Sequence, residues 1–128
     1  MNRAPLVLAC SAGLVLAASP FLRYGAGGHG APHADHEPRH GGQLGMVGDH
    51  HLELVRGRAG IEVFVSDAWR RPLPARDGAL RFDGSDARPL RWSGDRLVAP
   101  DVAGSRTVEA VVTLLDGTRL ALAFDAAP

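Results

Sequence analysis

The sequence contains no lysine and only one cysteine, Cys10, among its 128 residues. A single cysteine excludes an internal disulfide framework and a four-cysteine zinc site, so any metal chemistry must rest on histidine and carboxylate side chains. All 14 basic residues are arginines, and 14 acidic residues balance them to a net charge of zero. Without a basic excess the chain has little with which to bind nucleic acid through counterion release, and we exclude nucleic acid as a partner.

The first 26 residues have the form of a secretory signal. Arg3 and the free amine precede an uncharged, largely apolar stretch over residues 4–22, with small residues at 17–19. This pattern predicts export to the periplasm or secretion, either with the signal cleaved or with residues 4–22 kept as an inner-membrane anchor. Too few apolar residues precede Cys10 for a lipoprotein signal, so Cys10 is interpreted as a small hydrophobic residue of this segment.

Residues 27–42, GGHGAPHADHEPRHGG, contain no large apolar side chain and are rich in glycine, proline and histidine. This composition predicts a flexible linker, because the segment cannot bury enough surface to offset its ordering entropy. Neutral imidazoles bind Cu(II), Ni(II) and Zn(II), and Asp35 and Glu37 add spare oxygen ligands. The candidate ligands of this tail are His29, His33, His36 and His40.

Two alternatives to a flexible chelating tail remain at this stage. The segment would serve as a soluble spacer if its histidines were incidental. Processing that exposed Gly27 as the amino terminus would create a square-planar four-nitrogen site from Gly27, Gly28 and His29, which favours Cu(II) or Ni(II).

From residue 43 to residue 126 the pattern changes to short apolar alternations separated by turn residues. Alternation with a period of two predicts strands, and Gly48-Asp49 and Asp116-Gly117 predict hairpin turns. We expect an all-β domain, an immunoglobulin-like β-sandwich of about seven or eight strands. The expected core faces carry Ile61, Val63 and Val65, then Val108, Ala110, Val112 and Leu114, and finally Leu120, Leu122 and Phe124.

Aromatic residues make up only 5% of the chain, which limits the core of this domain. Trp69 and Trp92 are therefore expected to plug the ends or the loop side of that core, with an aromatic platform for a sugar or a base as the functional alternative. The loop over residues 68–78 carries Arg70, Arg71 and Arg76. We expect a solvated connection there, and an anion-binding loop is the alternative.

A second group of candidate ligands, His50, His51 and Glu53, lies at the first hairpin. In a strand that begins at His50, the side chains of His51 and Glu53 share one face, where both can reach one exposed metal ion. A two-residue turn pairs Met46 with His51 and leaves about 20 Å between this group and the tail unless the tail folds back. The structural alternative is that His50 caps the core and His51 is a strand-surface residue.

Four motifs follow the signal: HADHEPRHGG (33–42), GDHHLELV (48–55), VFVSDAWRRPLP (63–74) and AGSRTVEAVVTLLDGTRLALAF (103–124). Together they resemble a group of small exported proteins found with heavy-metal resistance systems, and also a module that precedes the membrane-fusion region of some metal-efflux adaptors. The resemblance implies a periplasmic role in handling Cu, Ag, Ni, Co or Zn ions. The chain departs from the group in having Arg70-Arg71 where glycine is usual and in having fewer histidines in its tail.

These observations predict a periplasmic metal-binding accessory protein that buffers or hands on Cu, Ni, Co or Zn ions. The expected partner is a metal-efflux adaptor or another envelope protein. The alternative hypothesis is a protein-interaction module of an envelope complex, which docks through a strand edge. An enzyme is not expected, because the sequence has no HExxH motif and no Ser-His-Asp arrangement in a recognisable context.

Overall fold

The computed structural model describes residues 35–125, which form eight antiparallel strands. The all-β class and the expected number of strands are confirmed. The signal or anchor segment, His29 and His33 lie outside the described residues. The strands are β1 (Gln43–Val47), β2 (His50–Gly57), β3 (Gly60–Ser66), β4 (Ala75–Phe82), β5 (Arg88–Ser93), β6 (Arg96–Ala99), β7 (Thr107–Leu114) and β8 (Arg119–Asp125).

The eight strands form one rolled sheet in the order β1-β2-β3-β6-β5-β4-β7-β8. The sequence predicted a sandwich of two separate sheets, but β5 pairs with both β4 and β6 and so joins the two halves. The edge strands β1 and β8 meet, because the Gln43 side-chain amide donates to the Asp125 carbonyl at 2.7 Å. Gly45 of β1 also packs against Leu122 of β8. The sheet is therefore nearly closed around its core.

Both predicted hairpin turns are present. Gly48 and Asp49 connect β1 to β2, and Asp116 and Gly117 lie in the turn between β7 and β8. The first turn sets the register in which Met46 is the partner of His51, as the two-residue loop predicted.

The alternating apolar residues fill the inside of the rolled sheet, as their period of two predicted. The two tryptophans do not belong to this core: Trp69 is 59% exposed and Trp92 is 43% exposed. Trp69 lies in the loop that follows β3, and Trp92 lies near the end of β5, beyond the buried Leu90. The prediction that both indoles close the ends of the core is therefore wrong.

Strand β2 is buried on both of its faces. Leu52 and Leu54 point into the core, and the opposite face carries His51 at 1% exposure and Glu53 at 2%. Residues 35–42, which we call the strap, fold back over this outer face and bond to it. The linker predicted for residues 27–42 is thus ordered against the sheet from residue 35 onward. Residues 35–125 contain no helix with the length and hydropathy needed to cross a bilayer.

Candidate metal centre

The carboxylate of Glu53 fastens the strap to β2. Its Oε1 atom accepts the backbone N–H groups of His40 at 2.7 Å and Gly42 at 3.1 Å. Its Oε2 atom accepts the backbone N–H of Arg39 at 3.0 Å and lies 2.9 Å from Nδ1 of His40. Four hydrogen bonds therefore converge on one buried carboxylate, and its two oxygens are committed to the strap.

These contacts decide the ionisation of Glu53. Burial by itself raises the pKa of the carboxyl group, but the hydrogen bonds from His40 and from the backbone amides of Gly42, His40 and Arg39 outweigh it and lower the pKa below its ordinary value. The side chain is thus held as a carboxylate that can only accept hydrogen bonds.

The ring of His40 is fixed on two sides. It stacks on Phe64 with ring centroids 3.6 Å apart and planes 4° from parallel. Because the Glu53 carboxylate accepts, Nδ1 of His40 donates, and in the neutral imidazole Nε2 then holds the lone pair. The side chain is 42% exposed. A half-exposed imidazole oriented by a carboxylate is the arrangement seen around histidines that bind metal ions.

Two glycines allow the strap to approach β2. Gly41 has a φ of 79°, in the left-handed region. At Gly42 a Cβ atom would lie 2.3 Å from the backbone carbonyl oxygen of Leu54, so no larger residue fits without displacing the strap. Each residue of the HGG motif over residues 40–42 therefore has a role. His40 bonds to Glu53, Gly41 adopts the left-handed backbone conformation, and Gly42 leaves room for the Leu54 carbonyl.

Arg70 supports the strap from the loop that follows β3. Its Nη1 atom donates to the backbone carbonyls of Asp35 and Glu37, each at 3.0 Å, and its own carbonyl accepts Nη1 of Arg39 at 3.0 Å. Only 5% of Arg70 is exposed, and its φ of 62° is unusual for a residue with a side chain. The prediction of a solvated arginine loop is therefore wrong for Arg70.

His51 lies beneath the strap, next to the same loop. Its Nδ1 atom is 3.0 Å from the backbone carbonyl oxygen of Asp67. Since a carbonyl oxygen accepts, Nδ1 carries the proton, and Nε2 of the neutral ring holds the lone pair. The ring centroid of His36 lies 6.0 Å from that of His51. The strap thus brings a tail histidine to the hairpin histidine, and the predicted separation of about 20 Å between the two groups does not apply to His36.

The structure distributes the predicted ligands unevenly. His36, His40 and His51 lie along the strap, whereas His50 begins β2 on the opposite face, as the partner of Val47. The expectation of an exposed His51 and Glu53 pair is wrong, because both side chains are buried and the Glu53 oxygens bind the strap. Within residues 35–125, no three His, Cys, Asp or Glu side chains are grouped closely enough to hold a metal ion.

Sequence reasoning missed the residues that hold the strap in place. Neither Phe64, which stacks on His40, nor Asp67 was among the predicted site residues. In the structure Asp67 organises the loop by accepting the backbone N–H groups of Trp69 and Arg71 and the Arg71 guanidinium.

Comparisons with protein-family models, with curated proteins and with solved structures find no match to this chain.

Proposed function

We propose that the chain is an exported, periplasmic accessory protein that binds Cu, Ni, Co or Zn ions through its histidine-rich tail and buffers them or passes them to a metal-efflux or resistance system. The observation that carries this proposal is the course of the strap, which joins the tail to the outer face of β2. His36 and His40 are thereby held beside His51 and Glu53.

The hydrogen bonds of two imidazoles support metal binding. The Nδ1 atoms of His40 and His51 bond to a carboxylate and to a backbone carbonyl, respectively. Partners of this kind fix the tautomer and the orientation of metal-binding histidines, and they leave Nε2 as the ligand atom. Glu53 then acts in this proposal as the residue that orients His40, and not as a ligand.

The sequence supplies further ligands next to this group. His29 and His33 precede His36 by seven and three residues, within the same histidine-rich tail. Fewer than three candidate His, Cys, Asp or Glu ligands converge within residues 35–125, so in this proposal His29 and His33 supply the remaining ligands for a divalent ion. The proposed protein therefore binds the ion with its tail, and the sheet holds the base of that tail.

The test is calorimetric titration of the full chain with Cu(II), Ni(II) and Zn(II). The test variant replaces His29, His33, His36 and His40 with alanine. The matched control is His50→Ala, which removes an imidazole from the other face of β2. We expect micromolar or tighter binding that disappears in the fourfold variant and persists in the control. Equal binding by the wild type and the fourfold variant would contradict the role of the tail.

Proton competition gives a second readout of the same proposal. Imidazole nitrogens bind metal only when deprotonated, so the affinity should fall steeply between about pH 7 and pH 5. An affinity that does not change over this interval would exclude histidine ligation.

A docking module is the second candidate function, and the exposure of Trp69 favours it. Its indole is 59% exposed and carries the Arg71 guanidinium 5.0 Å from the ring centroid. Exposed tryptophan and arginine are common anchors of protein interfaces. This function would be favoured over the first if the titration detected no metal binding and if Trp69→Ala abolished the complex with a metal-efflux adaptor that the wild type forms.

A further inference from the structure

Met46 lies directly opposite His51 across the first hairpin. The two residues are Cα partners in the pairing of β1 with β2, so their side chains leave the same face of the sheet. Directly paired residues have Cβ atoms about 4.5–5.5 Å apart. The side chain of Met46 therefore starts next to the buried imidazole of His51. The Nδ1 atom of that imidazole bonds to the backbone carbonyl of Asp67.

His36 of the strap adds a third donor at the same place. His36 and Met46 line one groove of about 460 Å³, whose other lining residues are Leu44, Gly45 and Leu122. The His36 ring is also 6.0 Å from the His51 ring. His36 therefore neighbours both Met46, with which it shares the groove, and the buried ring of His51.

We propose that His36, Met46 and His51 form a three-coordinate site for a soft monovalent ion, Cu(I) or Ag(I). The inference rests on the proposed function in taking a tail histidine as a ligand, but it assigns a monovalent ion and a thioether ligand that lies outside the tail.

The spacing of the two rings suits a shared ion. A metal–nitrogen bond of about 2.0–2.1 Å places the ring centroid about 3.2 Å from the ion, so two imidazoles on one ion have centroids roughly 4.5–6.5 Å apart. The observed 6.0 Å between His36 and His51 lies within this interval.

The chemistry of the groove selects the ion. Thioether ligands favour soft Cu(I) over Zn(II), Ni(II) and Co(II), which prefer nitrogen and oxygen donors. Besides His36 and Met46, the groove is lined by Leu44, Gly45 and Leu122, so its lining is largely apolar. A single positive charge costs less to transfer into such surroundings than a double charge. Three neutral ligands around a monovalent ion satisfy both requirements.

The test compares two ions in the full chain under anaerobic conditions. Cu(I) affinity is measured by competition with a coloured Cu(I) chelator, and Zn(II) affinity is measured by calorimetry. Met46→Leu removes the sulfur and conserves the volume, and its urea unfolding curve verifies the fold. His36→Ala removes a proposed ligand, with His50→Ala as its matched control.

We expect Met46→Leu to lower the Cu(I) affinity by about tenfold or more and to change the Zn(II) affinity by less than about twofold. His36→Ala should lower the Cu(I) affinity, and His50→Ala should leave it unchanged. Cu(I) binding by Met46→Leu at the wild-type affinity would overturn the site, and so would an equal loss of Cu(I) and Zn(II) affinity.

A spectroscopic readout does not depend on any variant. Addition of Ag(I) to the wild-type chain should shift the methyl resonance of Met46 in a carbon–proton correlation spectrum. A resonance that does not move at saturating Ag(I) overturns the site. The two proposals fail separately: the proposed function fails if the fourfold tail variant binds divalent ions normally, whereas this inference fails on the sulfur of Met46.

Discussion

His40 contacts both carboxylate oxygens of Glu53, its backbone N–H bonding to Oε1 at 2.7 Å and its ring Nδ1 to Oε2 at 2.9 Å. One residue of the strap thereby fixes the position of the carboxylate on β2, and the carboxylate fixes the imidazole in return. Loss of these contacts is therefore expected to release the strap and to expose the outer face of β2.

Glu53→Gln should separate the strap from β2. The uncharged amide has one oxygen acceptor where the carboxylate has two, and its NH2 group would face backbone N–H donors. Hydrogen bonds to charged groups contribute about 1.5–3 kcal/mol each when lost, but shared bonds are not additive, so we expect a loss of about 2–4 kcal/mol in the free energy of unfolding. Urea unfolding measures this change.

Hydrogen exchange shows where the effect of Glu53→Gln lies. The amide protons of Arg39, His40 and Gly42 donate to this carboxylate, and they should lose protection in the variant. Glu109→Gln is the matched control, because it makes the same change on the distant strand β7. Similar unfolding curves for the two variants would show that the Glu53 hydrogen bonds do not stabilise the strap.

Most of the sheet was predictable from the sequence because its signals are local. Alternation identifies a strand such as Thr107–Leu114, and Gly48-Asp49 fixes the register of Met46 with His51. The rolled shape depends on the pairing of β3 with β6 and of β4 with β7, and on the contact between the edge strands β1 and β8. Pairing between strands that are distant in the sequence leaves no periodic signal in the chain.

The candidate site was only partly predictable. His36, His40, His51 and Glu53 were identified as chemically relevant residues, but their arrangement depends on the strap folding back. Composition alone favoured a mobile segment, because glycine, proline and histidine bury little apolar surface. The strap is held instead by hydrogen bonds to a buried carboxylate and to Arg70, and these partners lie 11 or more positions away in the sequence.

Gly42→Ala should displace the strap through a steric clash. The added Cβ would lie 2.3 Å from the Leu54 carbonyl oxygen, a backbone atom that cannot move without disturbing β2. We expect a loss of about 1–3 kcal/mol in the free energy of unfolding, the usual cost of overpacking. Gly57→Ala in β2 is the control, because a Cβ atom at that position would lie 3.9 Å from its nearest neighbour, the carbonyl oxygen of Gly60. An equal effect of the two substitutions would refute the clash.

Two substitutions at Arg70 should separate its backbone strain from its side-chain bonds. Arg70→Ala removes the hydrogen bonds to Asp35 and Glu37 and keeps a Cβ at a φ of 62°, whereas Arg70→Gly removes the bonds and the strain together. Both variants should be less stable than the wild type, and Arg70→Ala should be less stable than Arg70→Gly by about 1 kcal/mol. Thermal unfolding of the pair tests the ranking, and the reverse order would contradict it.

Asp101 forms an ion pair with Arg56 of β2. The Arg56 guanidinium donates to both of its carboxylate oxygens, at 2.7 and 3.0 Å, and also to the hydroxyl group of Ser105 at 2.6 Å. The hydrogen bonds from Arg56 lower the pKa of Asp101, burial opposes them, and the Val102 amide adds to the lowering. The folded state is thus stabilised by the ionised form of Asp101.

The sign of this shift gives a pH dependence that Asp101→Asn should lack. A folded-state pKa below the unfolded value of about 3.9 stabilises the protein fully above about pH 5, and the contribution is lost as the pH falls through the folded-state pKa. Asp101→Asn should therefore be less stable than the wild type by about 1–2 kcal/mol at pH 7, and the difference should shrink below about pH 4. Urea unfolding from pH 3 to pH 7 measures it. Asp86→Asn is the control, because it changes an exposed aspartate outside the strands, and it should follow the wild-type profile. If the stability difference between Asp101→Asn and the wild type did not change with pH, the ionised pair would be excluded as its source.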